Sequence, residues 1–255
     1  MMKFTRAIVK TPCKAMTAGI TSAELGMPDY HLALEQHQNY IKALQHCGLE
    51  VTILDADERF PDSTFVEDVA LVTPHCAILT NPGATSRNQE TITMAPILED
   101  YFSHIEQISA KGTLDAGDIM CVGNHYYIGL SERTNFQGAS QMIDILERYS
   151  MTGSTIKLDS MLHLKTGVNY LENNRILVTG EFIDKAELQQ FEQIIVEDSE
   201  AYAANSVWIN DFLITPAGFP QTKKQLQQKG FNLIEVDVSE FQKLDGGLSC
   251  LSLRF

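Results

Sequence analysis

The sequence predicts an α/β fold, a five-bladed propeller of ββαβ units with pseudo-fivefold symmetry. A strand pair, a helix and a single strand recur five times, at a spacing of about fifty residues that is typical of radial or stacked repeats. The two terminal strands, Phe4–Val9 and Ser249–Phe255, have no partner within their own copies, and their pairing would close a ring and hide its edges. Hairpins separate the helices, whereas the alternative, an open doubly wound sheet, needs long helical crossovers between neighbouring strands.

The first copy of the repeat contains one strand before its helix. Its predicted elements are the strand Phe4–Val9, a helix over Tyr30–Cys47 and the closing strand Val51–Leu54. Apolar residues at helical spacing predict the helix, and Gly48 follows it as a C-cap.

The other four copies each begin with a hairpin, and turn-forming residues join its two strands. The predicted hairpin strands are Val66–Val72 with Cys76–Thr80, Asp118–Val122 with Tyr126–Leu130, Gly167–Leu171 with Arg175–Thr179, and Ser206–Ile209 with Phe212–Thr215. The predicted closing strands are Ile105–Ile108, Thr155–Leu158, Gln193–Val196 and Leu233–Val236.

The helices of these four copies differ in how clearly the sequence marks them. The helix of the second copy lies within Asn88–Phe102, where Pro96 would break a helix interior. The helix of the fourth copy opens with Asp184 and Glu187, an acidic variant of the capping box. The third copy shows apolar residues at helical spacing, namely Ala139, Met142, Leu146 and Tyr149, and the helix of the fifth copy ends at Lys229-Gly230.

The length allows one large or two small domains, and the 44% of hydrophobic residues is ordinary for a globular protein with a full core. We expect a single catalytic domain over residues 1–255. The formal net charge of −14 disfavours nucleic acid as a partner. The same charge could draw in a cationic substrate, although solubility explains it equally well. No apolar run reaches the length of a bilayer span, and Met1–Lys10 lacks the apolar segment of a signal peptide, so we expect no membrane partner and a cytoplasmic location.

The five cysteines include no Cys-x-x-Cys pair, so neither a zinc ribbon nor a disulfide framework is indicated. His75 and Cys76 are adjacent, but they fall at a hairpin turn with no further ligand nearby in the sequence. We therefore expect neither a metal nor a cofactor.

Cys250 follows the segment Asp245-Gly246-Gly247, where the chain enters the last predicted strand. Glycines allow a close backbone approach or a positive φ, so we expect an accessible thiol behind a flexible turn. A buried structural thiol in an edge strand is the alternative, because free cysteine is among the most buried residue types. An accessible thiol would be a candidate nucleophile.

In a ring-shaped fold such as the predicted propeller, ligands bind near the axis. We therefore expect the functional residues at the junctions before each strand pair. Carboxylates concentrate at two of them, with Asp62, Glu67 and Asp68 at one and Asp115 and Asp118 at the other. Strand alternation would place Glu67 on the face opposite Asp68. Acids at the border of an apolar strand favour binding of a planar cation, and a solvated acidic loop is the alternative.

Other junctions carry basic and flexible segments. His163 lies between two leucines, which is usual for a core histidine and also compatible with a catalytic one. Arg87 could bind a carboxylate through two hydrogen bonds, although a lone arginine is more often a surface residue. The segment Gly19–Gly26 has the composition of a mobile loop, and a plain surface connection is the alternative. Together with Arg133, the thiol, imidazole and carboxylates suit nucleophilic catalysis on an electron-poor carbon.

Five ordered motifs resemble those of the dimethylarginine dimethylaminohydrolases, a family of the guanidino-group-modifying amidinotransferase superfamily. They are Pro61–Asp68, Leu114–Asp118, Arg133–Asn135, His163–Thr166 and Asp245–Cys250, and the resemblance covers the full length of the chain. It implies a five-bladed α/β propeller, in agreement with the repeat.

The resemblance also implies a role for each matching residue. The catalytic residues would be Cys250 as nucleophile, His163 as general acid and base, and Asp115 as a carboxylate that holds the histidine or the guanidinium. The substrate-binding residues would be Glu67 and Asp68 at the guanidinium and amino end, Asp62 at the α-amino group, Arg87 and Arg133 at the α-carboxylate, Ile20 in a lid, Phe65, and the backbone of Leu244.

The implied activity is hydrolysis of N-methylated arginines to citrulline through a covalent S-alkylthiouronium on the cysteine. One alternative is deimination of free arginine or another guanidine, but arginine deiminases usually carry a helical insertion for which 255 residues leave little room. Another is non-catalytic guanidine binding, which the presence of every candidate catalytic residue disfavours. The expected partner is a small cationic amino acid, and a homodimer is one of the assembly states left open.

Overall fold

The computed structural model describes residues 3–255, which form five three-stranded sheets. In each sheet the middle strand pairs antiparallel with one neighbour and parallel with the other. The strands are β1 (Arg6–Lys10), β2 (Glu50–Leu54), β3 (Ala70–Val72), β4 (Ala77–Leu79), β5 (Ile105–Gln107), β6 (Ile119–Val122), β7 (His125–Leu130), β8 (Thr152–Lys157), β9 (Val168–Tyr170), β10 (Arg175–Val178), β11 (Glu192–Ile195), β12 (Val207–Ile209), β13 (Phe212–Pro216), β14 (Leu233–Val236) and β15 (Leu253–Arg254). The α-helices are α1 (Tyr30–His46), α2 (Glu90–Glu99), α3 (Phe136–Arg148), α4 (Leu164–Gly167), α5 (Pro220–Gln228) and α6 (Ser239–Gln242).

The connections between parallel strands explain the repeat in the sequence. An α-helix leads from β1 to β2, from β4 to β5, from β7 to β8 and from β13 to β14. A parallel pair needs a long crossover, which is usually an α-helix, while a short turn joins the antiparallel pair in four of the five sheets. The predicted pattern of strand pair, helix and strand is therefore confirmed in these copies.

The segment Glu67–Ile195 forms one compact unit and contains the sheets β3-β4-β5, β6-β7-β8 and β9-β10-β11. Helix α3 packs Ala139, Met142 and Leu146 into the apolar core of this unit. Its first turn is capped by Asn135, whose side chain accepts a hydrogen bond from the Gly138 N–H at 2.8 Å.

The other compact unit comprises residues 3–66 and Val196–Phe255, with the sheets β15-β1-β2 and β12-β13-β14. Its core includes the fully buried rings of Tyr40 from α1 and Phe241 from α6. Asp29 caps α1 by accepting hydrogen bonds from the N–H groups of its first turn.

The predicted pairing of the two ends of the chain is confirmed. Strand β15 pairs antiparallel with β1, with Leu253 opposite Ile8 and Arg254 opposite Ala7. Within residues 3–255 the five sheets nevertheless stay separate, and no ladder joins them into one closed sheet.

The predicted helix of the fourth copy is wrong. The chain between β10 and β11 forms two 3₁₀ turns, Gly180–Phe182 and Ala186–Leu188, instead of an α-helix. Gly180 has a φ of 55°, outside the right-handed helical region. The carboxylate of Glu181 accepts hydrogen bonds from the N–H groups of residues 159–161 and thereby anchors that neighbouring loop.

Two predicted strands begin later than expected, because 3₁₀ turns replace their first residues. The predicted strand Val66–Val72 is a turn over Val66–Val69 followed by β3, so strand alternation does not govern the directions of its acids. The predicted strand Ser249–Phe255 begins with a turn over Ser249–Leu251. Cys250 is therefore a turn residue.

Within residues 3–255, no helix combines the length and the apolar character needed to cross a membrane. We expect a cytoplasmic location partly from the stretch Met1–Lys10. Its first two residues, Met1 and Met2, lie outside the described residues.

Candidate active site

A buried imidazole and two carboxylates form the centre of the candidate site in the unit Glu67–Ile195. The Nε2 atom of His163 lies 3.1 Å from Oδ2 of Asp115, whose side chain is fully buried. One potential ligand atom each from Asp68, Asp115 and His163 lie within 4.8 Å of one another. We call these three residues the imidazole cluster.

Local turns hold Asp115 in place within this cluster. It precedes a 3₁₀ turn, and its backbone N–H donates to the Thr134 hydroxyl at 3.2 Å. Its Oδ1 accepts a hydrogen bond from the Gly83 N–H at 2.8 Å. Because both carboxylate oxygens have donors nearby, the charged form of Asp115 is solvated by the protein itself.

Gly117 explains why the Ala-Gly-Asp motif needs a glycine. A Cβ at this position would lie 2.6 Å from Oδ1 of Asp68 and 2.9 Å from Nδ1 of His163. The bare backbone instead brings the Gly117 N–H to 3.2 Å from Asp68 Oδ1, where it donates a hydrogen bond. The glycine therefore lets the acid and the imidazole approach the same peptide group.

The charges of the cluster determine the protonation of His163. Burial alone would lower its pKa, but the charge of Asp68, the hydrogen bond to Asp115 and the charge of Asp118 outweigh burial and raise it to about 9. Burial likewise opposes ionisation of Asp68, yet His163 and Arg87 hold the pKa of Asp68 below its ordinary value. A protonated His163 beside an ionised Asp68 is the favoured state near neutral pH.

Asp118 supports this arrangement from behind. Its oxygens accept hydrogen bonds from the Leu164 N–H at 2.9 Å and from the hydroxyls of Ser131 and Thr134 at 2.7 and 2.6 Å. Burial raises the pKa of Asp118, although the charge of His163 and these donors act in the opposite direction. The bond to Leu164 fixes the backbone directly after His163.

Arg87 is engaged by two acids. Its Nη1 donates to Oδ2 of Asp68 at 2.5 Å, and its Nε and Nη2 donate to Glu90 at 3.1 and 2.8 Å. All three side chains are buried. The predicted binding of an α-carboxylate by Arg87 stays a prediction, and in this structure the guanidinium holds Asp68.

Two further charged residues of this unit differ in their surroundings. Glu67 forms an ion pair with Lys165, with 2.7 Å between Oε1 and Nζ. Arg133 is half-buried, and among residues 3–255 no carboxylate lies within ion-pair distance of its guanidinium. Its backbone lies against Gly83, where a Cβ would be 2.4 Å from the Arg133 carbonyl oxygen. Arg133 therefore has the donors that a substrate carboxylate would need.

The candidate nucleophile lies in the other unit, on the 3₁₀ turn Ser249–Leu251. Cys250 is 9% exposed, and its Sγ lies 3.9 Å from the Ser249 hydroxyl oxygen. The expectation of an accessible thiol is wrong, because the side chain of Cys250 is buried and the residues before it are packed. Gly246 is buried, with its Cα packed on the ring of Phe65 so closely that a Cβ would be 2.2 Å from a ring atom.

The remaining predicted binding residues Asp62, Ile20, Phe65 and Leu244 lie in the same unit as Cys250. Asp62 is buried and its Oδ1 accepts a hydrogen bond from the Ile20 N–H at 3.0 Å. Ile20 belongs to a stretch without regular secondary structure, and its side chain is exposed. Leu244 is buried close to Gly19. The structure thus brings Asp62, Ile20, Phe65 and Leu244 into one neighbourhood within their unit.

The imidazole cluster has the residue types and spacing of a metal site, but its charges fit one poorly. Both oxygens of Asp115 are already engaged, Oδ1 by the Gly83 N–H and Oδ2 by the ring nitrogen of His163. Asp68 already neutralises Arg87. We therefore interpret Asp68, Asp115 and His163 as a hydrogen-bond network that carries a proton. They form a group with metal-ligand spacing within residues 3–255.

Sequence reasoning missed several partners of the predicted residues. Glu90 was detectable, because Arg87 and Glu90 stand three residues apart at the start of a helix. Lys165 and Asp118 lay inside recognised motifs without an assigned role. Their contacts with Glu67 and Leu164 join distant parts of the chain, and no local pattern reports such contacts.

Comparison with known proteins identifies the relatives of this chain. A family model described as N,N dimethylarginine dimethylhydrolase, eukaryotic, matches residues 29–252. An N(G),N(G)-dimethylarginine dimethylaminohydrolase of Pseudomonas aeruginosa is 51% identical over 99% of this chain and 100% of its own length. The enzyme of the same name from Streptomyces coelicolor is 31% identical, over 98% and 96%.

Solved structures agree with these sequence matches. A cysteine-to-serine mutant of the Pseudomonas aeruginosa enzyme in complex with citrulline superposes with a TM-score of 0.98 at 50% identity, over all of both chains. A dimethylarginine dimethylaminohydrolase with a histidine-to-glycine substitution, as an adduct with S-methyl-L-thiocitrulline, gives a TM-score of 0.97 at 50% identity, over 99% and 100%.

Proposed function

The chain belongs to the dimethylarginine dimethylaminohydrolase family, and from this we propose that it hydrolyses N-methylated arginines to citrulline and dimethylamine or methylamine. The structural observation that carries the proposal is the imidazole cluster, in which buried carboxylates keep His163 a cation able to give up a proton. The names and bound ligands of the relatives support the same substrate class.

The first task of the site is to fix a guanidinium carbon, which is a poor electrophile because its charge is delocalised. Carboxylates can hold the planar cation through its N–H groups and orient its carbon toward a nucleophile. Asp68 and Asp115 are the carboxylates of the cluster, and we assign them this task. Asp115 in addition orients His163 through the hydrogen bond to Nε2.

Cys250 supplies the nucleophile. Its sulfur forms a bond to the guanidinium carbon and gives a tetrahedral adduct. The C–N bond to the methylated nitrogen then breaks, and protonated His163 donates its proton to the departing amine. The products of this half-reaction are the free amine, neutral His163 and an S-alkylthiouronium on Cys250.

Water completes the reaction through the same residues. Neutral His163 removes a proton from water, and the oxygen adds to the thiouronium carbon. The carbon–sulfur bond breaks and the thiolate of Cys250 returns, and the proton left on the added oxygen passes to solvent as the neutral ureido group of citrulline forms. His163 is again protonated, so the cycle restores both residues without a cofactor.

The amino-acid end of the substrate would be bound by residues of opposite charge. Asp62 is the proposed partner of the α-ammonium, and Ile20, which donates its N–H to Asp62, would close over the same group. Arg133 is the better-supported partner of the α-carboxylate, and Arg87 would join it if its bonds to Asp68 and Glu90 were shared. The Leu244 backbone, Phe65 and Glu67 complete the proposed binding set.

The proposal extends to the arrangement and setting of the chain. Five sheets of one topology and the pairing of β1 with β15 support a five-bladed α/β propeller. No disulfide joins the five cysteines, all of which lie within residues 3–255, and this supports a reducing compartment such as the cytoplasm. A homodimer stays a prediction, which sedimentation of the purified protein tests.

The decisive test is release of citrulline from asymmetric dimethylarginine, monomethylarginine and free arginine, with Cys250→Ser as the control. We expect turnover of the methylated substrates and none with the serine variant, which keeps its fold because one atom changes. Equal or faster turnover of free arginine would favour a deiminase. Binding without turnover would indicate a guanidine-binding protein.

A further inference from the structure

Two side chains from one segment anchor the backbone that leads to Cys250. The segment is the 3₁₀ stretch Asp198–Ala204 with its capping residue Asn205. The Tyr202 hydroxyl donates to the Gly246 carbonyl at 2.7 Å. Asn205 lies against Gly247, where a Cβ would be 2.5 Å from the Asn205 Cγ. The second glycine therefore permits contact with Asn205, and Gly246-Gly247 is a packed segment.

Asn205 also bonds to both polar groups of Ser249. Its Oδ1 accepts the Ser249 N–H at 2.9 Å, and its Nδ2 lies 3.1 Å from the Ser249 hydroxyl oxygen. A backbone N–H can only donate, so the amide orientation is fixed by this pair. The Nδ2 group then donates to the hydroxyl oxygen, and all three groups are buried.

This geometry decides where the Ser249 proton points. A hydroxyl has one proton and accepts through its lone pairs, and Nδ2 occupies a lone pair. The O–H must therefore be directed elsewhere, and the Cys250 sulfur lies 3.9 Å away, within hydrogen-bond range for sulfur. A thiolate can only accept, so the Ser249 hydroxyl becomes its donor.

We propose that Asn205 is a positioning residue that orients the Ser249 hydroxyl as a hydrogen-bond donor to the Cys250 sulfur. The bond favours the thiolate as nucleophile and again as the group released when citrulline forms. This inference rests on the proposed role of Cys250. The Tyr202 hydroxyl does not act as a proton donor to Cys250. Burial and the charge of Cys250 raise the pKa of Tyr202 well above its ordinary value.

The first test removes the hydroxyl by Ser249→Ala and uses Ser206→Ala as a matched control. Both serines are 1% exposed, and the Ser206 hydroxyl bonds Ala203 and Thr215 without contacting the sulfur. The readout is the rate of iodoacetamide alkylation at Cys250 across pH, followed by peptide mass. Losing one long donor should lower the rate at neutral pH about three- to tenfold and move the midpoint upward, with no shift for Ser206→Ala. Equal profiles for both variants would overturn the proposal.

The second test asks whether Asn205 acts through Ser249. Asn205→Leu keeps the branched shape and removes both polar atoms without adding charge. The single variant should shift the alkylation profile in the direction of Ser249→Ala, and the double variant should shift no further than Ser249→Ala alone. Additive shifts, or none for Asn205→Leu, would exclude Asn205 as the positioning residue.

The same variants separate this inference from the proposed function. Alkylation of Cys250 reports the thiol whether or not the protein turns over dimethylarginine. If Ser249→Ala shifts the alkylation profile but the parent protein releases no citrulline, the proposed hydrogen bond stands and the proposed hydrolase activity is refuted. If the parent releases citrulline but Ser249→Ala leaves the profile unshifted, the hydrolase activity stands and the proposed role of Ser249 and Asn205 is refuted.

Discussion

Asp68 contacts both the arginine and the histidine side of the candidate site, so its charge has two consequences. In Asp68→Asn the amide oxygen can accept from only one of Arg87 and Gly117, and the amide NH2 would face the donor of the other. One charge-assisted hydrogen bond contributes about 1.5–3 kcal/mol, so we expect kcat/KM to fall roughly tenfold to a few hundredfold. Steady-state kinetics on dimethylarginine measure this, and the exposed Asp159→Asn is the charge control.

The same variant tests the orientation of the substrate. In this variant the buried Arg87 loses one of its two acid partners, and this loss lowers the free energy of unfolding. Thermal melting should therefore be measured alongside the kinetics. A folded Asp68→Asn protein with the kinetics of the parent would mean that Asp68 does not contact the guanidinium.

Arg133 gives the complementary prediction at the carboxylate end. Arg133→Lys replaces a planar fork of donors by a point charge, remote from the reacting carbon. Losing one of two charge-assisted bonds should raise KM about tenfold or more while kcat changes little. The exposed Arg59→Lys serves as control, because Arg59 pairs with Asp57 on the surface. A fall in kcat with an unchanged KM would move Arg133 from binding to chemistry.

The identities of the candidate residues were predictable from the sequence, and their partners largely were not. Asp68, Asp115 and His163 come from three separate motifs, and the structure groups them. The roles assigned to them stay predictions until the variants are measured. Asn205 was invisible, because its bonds to Ser249 cross forty-four residues of chain and follow no local pattern.

Helix α1 contains a buried titratable group that predicts how stability depends on pH. His37 packs at a centroid distance of 6.4 Å from Phe241 of α6, and its Nε2 has no hydrogen-bond partner among residues 3–255. Burial lowers the pKa of His37 from 6.5 to about 4. The unfolded chain therefore binds a proton before the folded one does, and stability is lost as the pH falls from 6.5 through 4.

The expected loss is about 3 kcal/mol over that range, from a shift of roughly 2.5 pH units. His37→Leu should remove this part of the acid dependence, and the exposed His31→Leu should retain it. Denaturant unfolding at pH 7, 5 and 4 measures the difference. Parallel acid limbs for the parent and His37→Leu would show that His37 is protonated in the folded protein.

Regular elements were predicted well where period and capping agree. Helix α1 begins at Tyr30 as expected, and Gly48 follows it with a φ of 89°. The 3₁₀ turns were missed at Val66–Val69 and Ser249–Leu251, because three- or four-residue turns carry no measurable period. Both turns carry candidate site residues, so the errors concentrate where the chemistry is.

The order of elements in the whole chain was predictable because a fifty-residue repeat constrains it far more than any single segment does. The terminal strands illustrate this. Leu253–Arg254 is only two residues long, and no propensity argument would select it. Its pairing with β1 followed from the missing strand of the first copy.

The last prediction concerns this pairing. Deleting Leu251–Phe255 removes two buried leucines and the carbonyl of Phe255 that accepts the N–H groups of Thr5 and Arg6. Burying a leucine contributes about 1.5–3 kcal/mol, so the loss approaches the 5–15 kcal/mol that is typical for a whole domain. We expect the truncated protein to be unfolded or to melt far below the parent by circular dichroism.

A milder variant separates burial from strand pairing in this test. Leu253→Ala retains the backbone of β15 and should lower the free energy of unfolding by about 2–5 kcal/mol while leaving one cooperative transition. The truncation should cost clearly more, because it also removes the hydrogen bonds to β1. A truncated protein that melts cooperatively at the temperature of the parent would contradict a structural role for the terminal strand.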